Sequence, residues 1–198
     1  MKHLVETLVS SEVLFKGKFL SAKRDTVALP GGKHASREYI VHPGAVVVVP
    51  LLDDGQVVLE RQFRYPIGQV MIEFPAGKLE PQEDPLMCGL RELQEETGYT
   101  CAEWAYAGHM HLAIAYSTEV IHIYFARSLQ AGQRKLDAGE FLDVFAAPAQ
   151  QLLDWCADGT VTDAKTLACA VHLHNHLSGK RPMAWQSVPR LARPTGSL

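Results

Sequence analysis

The part of the chain that most constrains the fold is residues 77–99, where helix signals and clustered acidic residues coincide. Asp84 is a good N-cap residue, and Pro85 is tolerated at the first helical position, whose amide needs no partner. Gly98 is a typical helix terminator. These signals predict a helix over residues 85–97, about 20 Å long at 1.5 Å per residue. Leucines at positions spaced by three and four form its core-facing stripe, namely Leu86, Leu90 and Leu93.

Three glutamates of this predicted helix, Glu92, Glu95 and Glu96, crowd one side of its last two turns. Like charges at that spacing destabilise a helix, and the C-terminal end of the helix dipole disfavours anions. A hard divalent cation such as Mg²⁺ would offset the repulsion, because it binds carboxylate oxygens directly. Arg91 can pair with Glu95 or with Glu83 and hold the preceding loop against the helix. Clustered glutamates usually form a solvated acidic face, but the combined spacing of these residues is too specific for that interpretation.

Residues 1–42 carry the extended patterns and turn signals of short strands. Strands are predicted at residues 11–15, 19–29 and 36–41. Together they predict a small antiparallel β-sheet subdomain, which alone would be marginally stable. We therefore expect it to pack on the rest of the chain or on a second copy of the protein.

Residues 43–180 have the pattern of a mixed domain of strands and helices. Residues 45–52 form a near-continuous apolar run, typical of a strand buried on both faces. Further strands are predicted at residues 56–63, 70–74, 104–110, 119–126 and 141–146. Two closing helices are predicted at residues 148–157 and 163–177. We therefore expect an α/β (α+β) domain with a sheet between helices, followed by an irregular C-terminal tail over residues 181–198.

Charge and composition exclude several classes of protein. The formal net charge is −3, so no overall positive field exists to hold nucleic acid or an anionic membrane. The N-terminus lacks the apolar core of a signal peptide, and the most apolar run, residues 44–52, is too short to span a bilayer. The 4 cysteines are scattered without paired spacing, which argues against a zinc site or a disulfide framework. We expect reduced thiols and a cytoplasmic protein.

The segment from Gly77 to Tyr99 resembles the Nudix box without departure: a glycine, five residues, a glutamate, seven residues, then Arg-Glu-Leu-Gln-Glu-Glu-Thr-Gly-Tyr. The resemblance implies a Nudix α/β/α sandwich with a mixed sheet. It also implies an enzyme that hydrolyses a nucleoside diphosphate linked to another moiety. By the same resemblance, Mg²⁺ or Mn²⁺ would polarise the diphosphate and activate the attacking water. The implied metal ligands, which thereby serve catalysis, are Glu92, Glu95, Glu96 and the carbonyl of Ala76.

Over residues 8–177 the chain is also similar to the ADP-ribose pyrophosphatase branch of this family. The similarity implies cleavage of ADP-ribose or a similar nucleoside diphosphate sugar into AMP, or another nucleoside monophosphate, and a sugar phosphate. It further implies a homodimer whose N-terminal strands are exchanged between subunits. The matching segments are residues 24–27, 42–46, 61–66, 73–77 and 163–166.

Four residues outside the box are candidates for contact with substrate or water. Arg64 would contact phosphate and supply a local cation, although a strand-end surface arginine is the alternative. Glu73 would touch the substrate or a metal-bound water, or else form a buried ion pair. The branch places a general base on a loop before a late strand, a position that Glu140 matches beside flexible Gly139, unless it is a plain surface carboxylate. Glu119 is the second candidate for a polar active-site role.

One loop departs from the branch pattern. Where ADP-ribose hydrolases commonly have Ser-Pro-Gly, this chain has Ile114-Ala115-Tyr116 and so loses the conformational preferences of proline and glycine. Tyr116 can stack on a base or simply fill the gap. The departure leaves hydrolysis intact but keeps GDP-mannose, NADH and dinucleoside polyphosphates open as alternative substrates. A non-catalytic ADP-ribose sensor of this fold is expected to lack box carboxylates, all of which are present.

Overall fold

The computed structural model describes residues 1–188 of the 198-residue chain. Its N-terminal part is an antiparallel sheet of three strands in the order β1 (Thr7–Lys16), β2 (Ser21–Ala28) and β3 (His34–Val41). The predicted small sheet is confirmed, although its first strand begins at Thr7 rather than at residue 11. All residues of β1 are exposed, so this sheet buries little apolar surface by itself.

Eight further strands within residues 1–188 build two more sheets. They are β4 (Ala45–Pro50), β5 (Gln56–Arg64), β6 (Gln69–Glu73), β7 (Ala76–Lys78), β8 (Tyr99–His111), β9 (Val120–Ala131), β10 (Leu142–Pro148) and β11 (Gln186–Ser187). One sheet is antiparallel, in the order β10-β5-β6. The other, in the order β11-β8-β9-β4-β7, is mixed because β4 runs parallel to β9 and antiparallel to β7.

Three helices pack against the sheets: α1 (Pro85–Thr97), α2 (Ala149–Asp158) and α3 (Ala164–Leu177). Helix α1 packs on one face of the mixed sheet, and α2 and α3 contribute to the main core on its other face. Successive residues of a strand point to opposite faces, so β4 serves two cores. Val48 packs with Leu93 of α1. Val47 packs in the main core with Leu173 of α3. All residues of β4 are buried, and the predicted α/β/α sandwich with a mixed sheet is confirmed.

The predicted strands and helices are present, and apart from α1 their ends are shifted. The strand expected at residues 104–110 extends over the whole of β8, and the strand expected at 119–126 extends to Ala131. Both are longer because β8 and β9 pair along almost their full length, which local patterning does not reveal. The short strand β7 was not predicted, since three residues carry no recognisable alternation.

The predicted C-terminal tail falls only partly within the structure. Residues 181–185 are irregular, whereas Gln186 and Ser187 pair with β8. Trp185 packs against the main core beneath the guanidinium of Arg127, 4.3 Å from the ring centre. The prediction for residues 189–198 lies outside the described residues. Within residues 1–188, the helices lack the length and apolar character that crossing a bilayer requires.

The N-terminal sheet is joined to the loop that precedes β9. The amide of Ile40, near the end of β3, donates to the carbonyl of Tyr116 at 2.8 Å, and the amide of Thr118 donates to the carbonyl of Ile40 at 3.0 Å. This backbone pairing places the N-terminal sheet beside the loop that departs from the branch pattern.

Candidate active site

Helix α1 has the bounds that its capping signals predict. The Asp84 carboxylate accepts hydrogen bonds from the amides of Leu86 and Met87, and Gly98 terminates the helix in the left-handed conformation. Leu93 is buried in the core, so the helix is anchored by its apolar stripe. Two of the three predicted ligands face strand β7: Glu92 lies against Gly77, and Glu96 accepts a hydrogen bond from the Ala76 amide. The third, Glu95, binds Arg91.

Gly77 of β7 leaves room for the Glu92 carboxylate. A Cβ added at Gly77 would overlap the side-chain oxygens and carboxyl carbon of Glu92. Any side chain at position 77 would displace the carboxylate of Glu92, so the glycine is what allows this close approach. Glu92 is held against the backbone that also contains Ala76.

Arg91 binds several acidic side chains at once. It donates two hydrogen bonds to Glu83, at 2.9 and 3.0 Å, and one each to Glu92 and Glu95, both at 2.9 Å. The predicted alternatives, a bond to Glu83 or to Glu95, are thus both realised. The Arg91 guanidinium lowers the pKa of Glu83 to about 2. Arg91 therefore fixes the loop before α1 to the helix and orients two of the three predicted ligands.

Glu96 is buried at the junction of α1 and β7. Its carboxylate accepts a hydrogen bond from the amide of Ala76 at 3.0 Å. Burial raises the pKa of Glu96, and the neighbouring charges of Glu60 and Glu92 raise it further. Glu96 therefore lies next to Ala76, the residue whose carbonyl is also a predicted metal ligand.

Glu60 of β5 belongs to the same cluster, and the sequence reasoning missed it. Its side chain is only 3% exposed, and its Oε1 atom is buried with no hydrogen-bond partner among the described residues. Burial raises its pKa, and the charge of Glu73, directly opposite in the β5–β6 register, adds to the effect. One signal could have revealed it: Glu60 directly follows the apolar run of residues 57–59 in a predicted strand, where an unpaired charge is costly.

Glu73 forms a buried ion pair, the second of its two predicted alternatives. It accepts hydrogen bonds from Arg64 Nε at 2.8 Å and Nη2 at 2.7 Å, and a further short bond from Lys165 Nζ. Lys165 also contacts Asp163 at 3.0 Å. Burial alone would raise the pKa of Glu73, but the hydrogen bonds and charges of Arg64 and Lys165 lower it below its ordinary value. Lys165, which lies within the segment 163–166 that is similar to the branch, thus anchors this group of side chains.

Glu140 lies on the loop immediately before β10. Its carboxylate accepts a hydrogen bond from the Asp137 amide at 3.2 Å. The charge of Glu140 contributes to the raised pKa values of both Glu92 and Glu96, although burial is the largest cause for each. Glu140 therefore lies close enough to Glu92 and Glu96 for their charges to interact.

Tyr116 and Glu119 lie on the other flank, beside the N-terminal sheet. A cavity of about 210 Å³ is lined by Tyr116 together with Arg37, Tyr39 and neighbouring residues. The Glu119 carboxylate lies 3.6 Å from Nδ1 of His42. These two predicted residues thus lie on the segment that contacts the end of the N-terminal sheet.

The structure brings the carboxylates of Glu60, Glu92, Glu96 and Glu140 within reach of one another's charge. In the conformation described for residues 1–188, no three acidic, histidine or cysteine side chains converge on a point that would hold a metal ion. Arg91 instead engages Glu92. The group of carboxylates is nevertheless of the chemical type that hard divalent cations prefer.

Comparison with known proteins identifies the family. Residues 41–168, more than half of the chain, match the NUDIX domain. The chain belongs to the Nudix family. Residues 6–40 match the nucleoside diphosphate sugar hydrolase N-terminal domain, so the N-terminal sheet has a counterpart in known relatives.

Individual relatives agree with this assignment. The chain is 37% identical over 168 residues to the ADP-ribose pyrophosphatase of Bacillus subtilis (strain 168). This match covers 84% of the present chain and 91% of the relative. It is 34% identical over 170 residues to the methanol dehydrogenase activator of Bacillus methanolicus, covering 85% and 92%. A crystal structure described as an ADP compounds hydrolase superposes with a TM-score of 0.78 at 21% identity, covering 88% of this chain and 95% of that chain. At that identity the likeness establishes the fold.

Proposed function

We propose that this Nudix hydrolase cleaves the diphosphate of ADP-ribose, or of a similar nucleoside diphosphate sugar, to AMP (or another nucleoside monophosphate) and a sugar phosphate. The observation that carries the proposal is the meeting of the α1 carboxylates with an anchored arginine. Arg64 lies close enough to Glu96 for the two charges to interact. A cation-binding carboxylate group next to a guanidinium suits a substrate that presents adjacent phosphates. The 37% identity to an ADP-ribose pyrophosphatase supports the choice of substrate.

The donor set of the site fits a hard divalent cation, because it consists of carboxylate and carbonyl oxygens. Within the described residues, the buried Oε1 of Glu60 lacks a hydrogen-bond partner, as suits a carboxylate group that completes its interactions with a cation. The residues that would hold Mg²⁺ or Mn²⁺ are Glu92, Glu95, Glu96 and the carbonyl of Ala76. When bound, such a cation polarises the diphosphate and lowers the pKa of the attacking water.

Arg64 binds a phosphate of the substrate. Its Nε and Nη2 atoms are occupied by Glu73, so Nη1 is directed away from that carboxylate. The Arg64 side chain is 42% exposed, which leaves the guanidinium accessible. Glu73 acts as a positioning residue, because it fixes the guanidinium plane from a buried position.

Glu140 acts as the general base and takes a proton from the attacking water. Its loop contains Gly139 at a φ of +93°, a left-handed conformation that glycine adopts without strain. Such a loop can move during the reaction cycle. The effect of the Glu140 charge on Glu92 and Glu96 supports its placement near the reacting centre.

The nucleoside end of the substrate is assigned to the cavity beside the N-terminal sheet, with Tyr116 stacking on the base. Glu119, which follows the lining residue Thr118 and lies next to His42, supplies a polar contact beside this cavity. A second candidate function is hydrolysis of GDP-mannose, NADH or dinucleoside polyphosphates. The observation that favours it is the altered loop, in which Ile114 is 83% and Tyr116 62% exposed. Large exposed side chains there change the surface that a base or sugar would meet.

The proposed enzyme is a homodimer that exchanges its N-terminal strands. Strand β1 is an edge strand of its sheet and exposes large apolar side chains, including Leu8, Val13 and Phe15. An exposed apolar edge favours pairing with another chain. Light scattering is expected to give a dimer for the wild type and a monomer for Val13→Glu. A cytoplasmic location is proposed on the 4 free cysteines, which suit a reducing compartment.

The proposal is tested with ADP-ribose, GDP-mannose, NADH and a diadenosine polyphosphate, each incubated with Mg²⁺ and separated by chromatography. AMP and ribose phosphate are the expected products of ADP-ribose, and Glu96→Gln is expected to remove most of the activity. Preference for GDP-mannose or another substrate would replace the first candidate by the second. Absence of cleavage with all four substrates would contradict both.

A further inference from the structure

Glu60 is a buried carboxylate to which the proposed function assigns no step. It lies at the end of a fully buried apolar run in β5, the central strand of its sheet, with Val144 and Glu73 opposite it on the two neighbouring strands. Side chains directly opposite on neighbouring strands share one face of a sheet. Glu60 therefore faces the same side as Glu73, next to a like charge rather than an opposite one.

The two nearby cations are already engaged by Glu73. Arg64 binds it through two hydrogen bonds and Lys165 through one, and Lys165 also contacts Asp163. Glu60 Oε1, by contrast, has no hydrogen-bond partner among the described residues and no access to solvent. A buried carboxyl group without a partner loses the hydrogen bonds that it would make with water. The protein groups described around Glu60 thus do not account for its presence.

The carboxyl group of Glu60 lies near two carboxylates of helix α1. The charge of Glu60 acts on Glu96 and the charge of Glu92 acts on Glu60, so these side chains lie within interaction distance of one another. Three acidic groups from two different elements, β5 and α1, therefore meet in a buried region. Such an arrangement is costly unless a positive charge lies between the groups.

We propose that Glu60 is an additional cation-binding carboxylate of this enzyme, which together with Glu96 holds a divalent cation directly or through one water molecule. We base this on the proposed metal-dependent hydrolysis, and it extends the cation site beyond the box helix to the central strand β5. The role is specific to a carboxylate, because an amide in the same place offers a single neutral oxygen.

The test measures binding of Mn²⁺ alone by titration calorimetry, for the wild type and for Glu60→Gln. We expect the variant to bind Mn²⁺ about 10- to 100-fold more weakly. In EDTA the melting temperature of Glu60→Gln is expected to equal or exceed that of the wild type, since a buried unpaired acid has been removed. The increase in melting temperature caused by Mn²⁺ is expected to be smaller in the variant than in the wild type. Glu103→Gln is the matched control, because Glu103 pairs with Arg127 at the surface. It is expected to leave unchanged both the Mn²⁺ affinity and the increase in melting temperature that Mn²⁺ causes.

Equal Mn²⁺ affinity in the wild type and Glu60→Gln, or no Mn²⁺ binding by the wild type, overturns the assignment. If Glu60→Gln does not fold, Glu60→Leu removes the carboxylate with an apolar side chain of similar size and carries the same expectation. The two proposals fail separately. Mn²⁺ binding that depends on Glu60, without hydrolysis of any nucleotide substrate, refutes only the proposed function. Hydrolysis by the wild type, with unchanged Mn²⁺ affinity in the Glu60 variants, refutes only the role of Glu60.

Discussion

Glu73 holds Arg64 through a two-point contact from a buried position, with distances of 2.8 and 2.7 Å from its two oxygens to Nε and Nη2. The carboxylate is 3% exposed and the arginine side chain 42% exposed. One end of the pair is therefore embedded in the protein, where Lys165 also contacts it, and the other end reaches solvent. The contact fixes the plane of the guanidinium and thus the direction in which Arg64 meets a ligand.

Replacement of Arg64 by lysine is expected to lower kcat/KM for ADP-ribose by about 10- to 100-fold, which corresponds to the loss of a charged hydrogen bond. Lysine keeps the positive charge but cannot bind Glu73 at two points and a phosphate at a third. Steady-state kinetics measure the effect. Arg61→Lys is the matched control, because Arg61 lies over the Phe145 ring at 3.9 Å and bonds no active-site carboxylate in the described structure. Equal losses in the two variants would contradict the role given to Arg64.

Replacement of Gly77 by alanine is expected to reduce kcat by more than about 100-fold and to weaken Mn²⁺ binding. The added Cβ overlaps the Glu92 carboxylate, so this side chain must leave its position, and small misplacements in an active site cost about that much. Gly31→Ala is the control, because a Cβ at Gly31 meets no heavy atom within 4 Å. Near-normal turnover and Mn²⁺ affinity in Gly77→Ala would show that the position of Glu92 is unimportant.

The stability of the metal-free protein is expected to fall as the pH rises above 4.5. Burial, with the charges of Glu60 and Glu92, raises the pKa of Glu96 above its ordinary value of 4.5 in the folded protein. The unfolded chain loses this proton at lower pH than the folded protein, so the folded state binds more protons in the window between the two pKa values. Rising pH therefore favours unfolding throughout that window.

Urea unfolding in EDTA between about pH 5 and 8 checks this expectation. Over that range the wild type is expected to lose at least about 1.4 kcal/mol more than Glu96→Gln, the equivalent of one pKa unit. Parallel pH profiles for the two proteins would mean that Glu96 titrates normally in the folded state.

The sequence predicted the features that depend on local chemistry. The caps Asp84 and Gly98 placed both ends of α1 correctly, because capping depends on residues adjacent to the helix. The buried strand β4 was recognised from its unbroken apolar run, which matches its burial on two faces. The carboxylates Glu92 and Glu96 were singled out because their spacing on one helix is fixed by the helical repeat.

Features that depend on contacts between distant segments were not predictable in this way. Glu60 joins the α1 carboxylates only because the β10-β5-β6 sheet packs against the end of the helix, and no local pattern records that packing. Lys165 and Glu73 are separated by 92 positions in the chain. The alternatives for Glu73 stayed open in the sequence for the same reason, since an ion pair requires knowledge of its partner.

Replacement of Glu140 by glutamine is expected to lower kcat by about 10²- to 10⁴-fold, the usual contribution of a general base. Mn²⁺ affinity is expected to change little, because Glu140 is not among the proposed cation ligands. The acidic limb of the pH–rate profile should also be altered, since the group that must be ionised has been removed. Glu103→Gln is the comparison, because Glu103 pairs with Arg127 at the surface and has no role in the proposed reaction. A loss in kcat of less than about tenfold in Glu140→Gln, with an unchanged pH profile, would exclude Glu140 as the base and direct attention to the remaining carboxylates of the cluster.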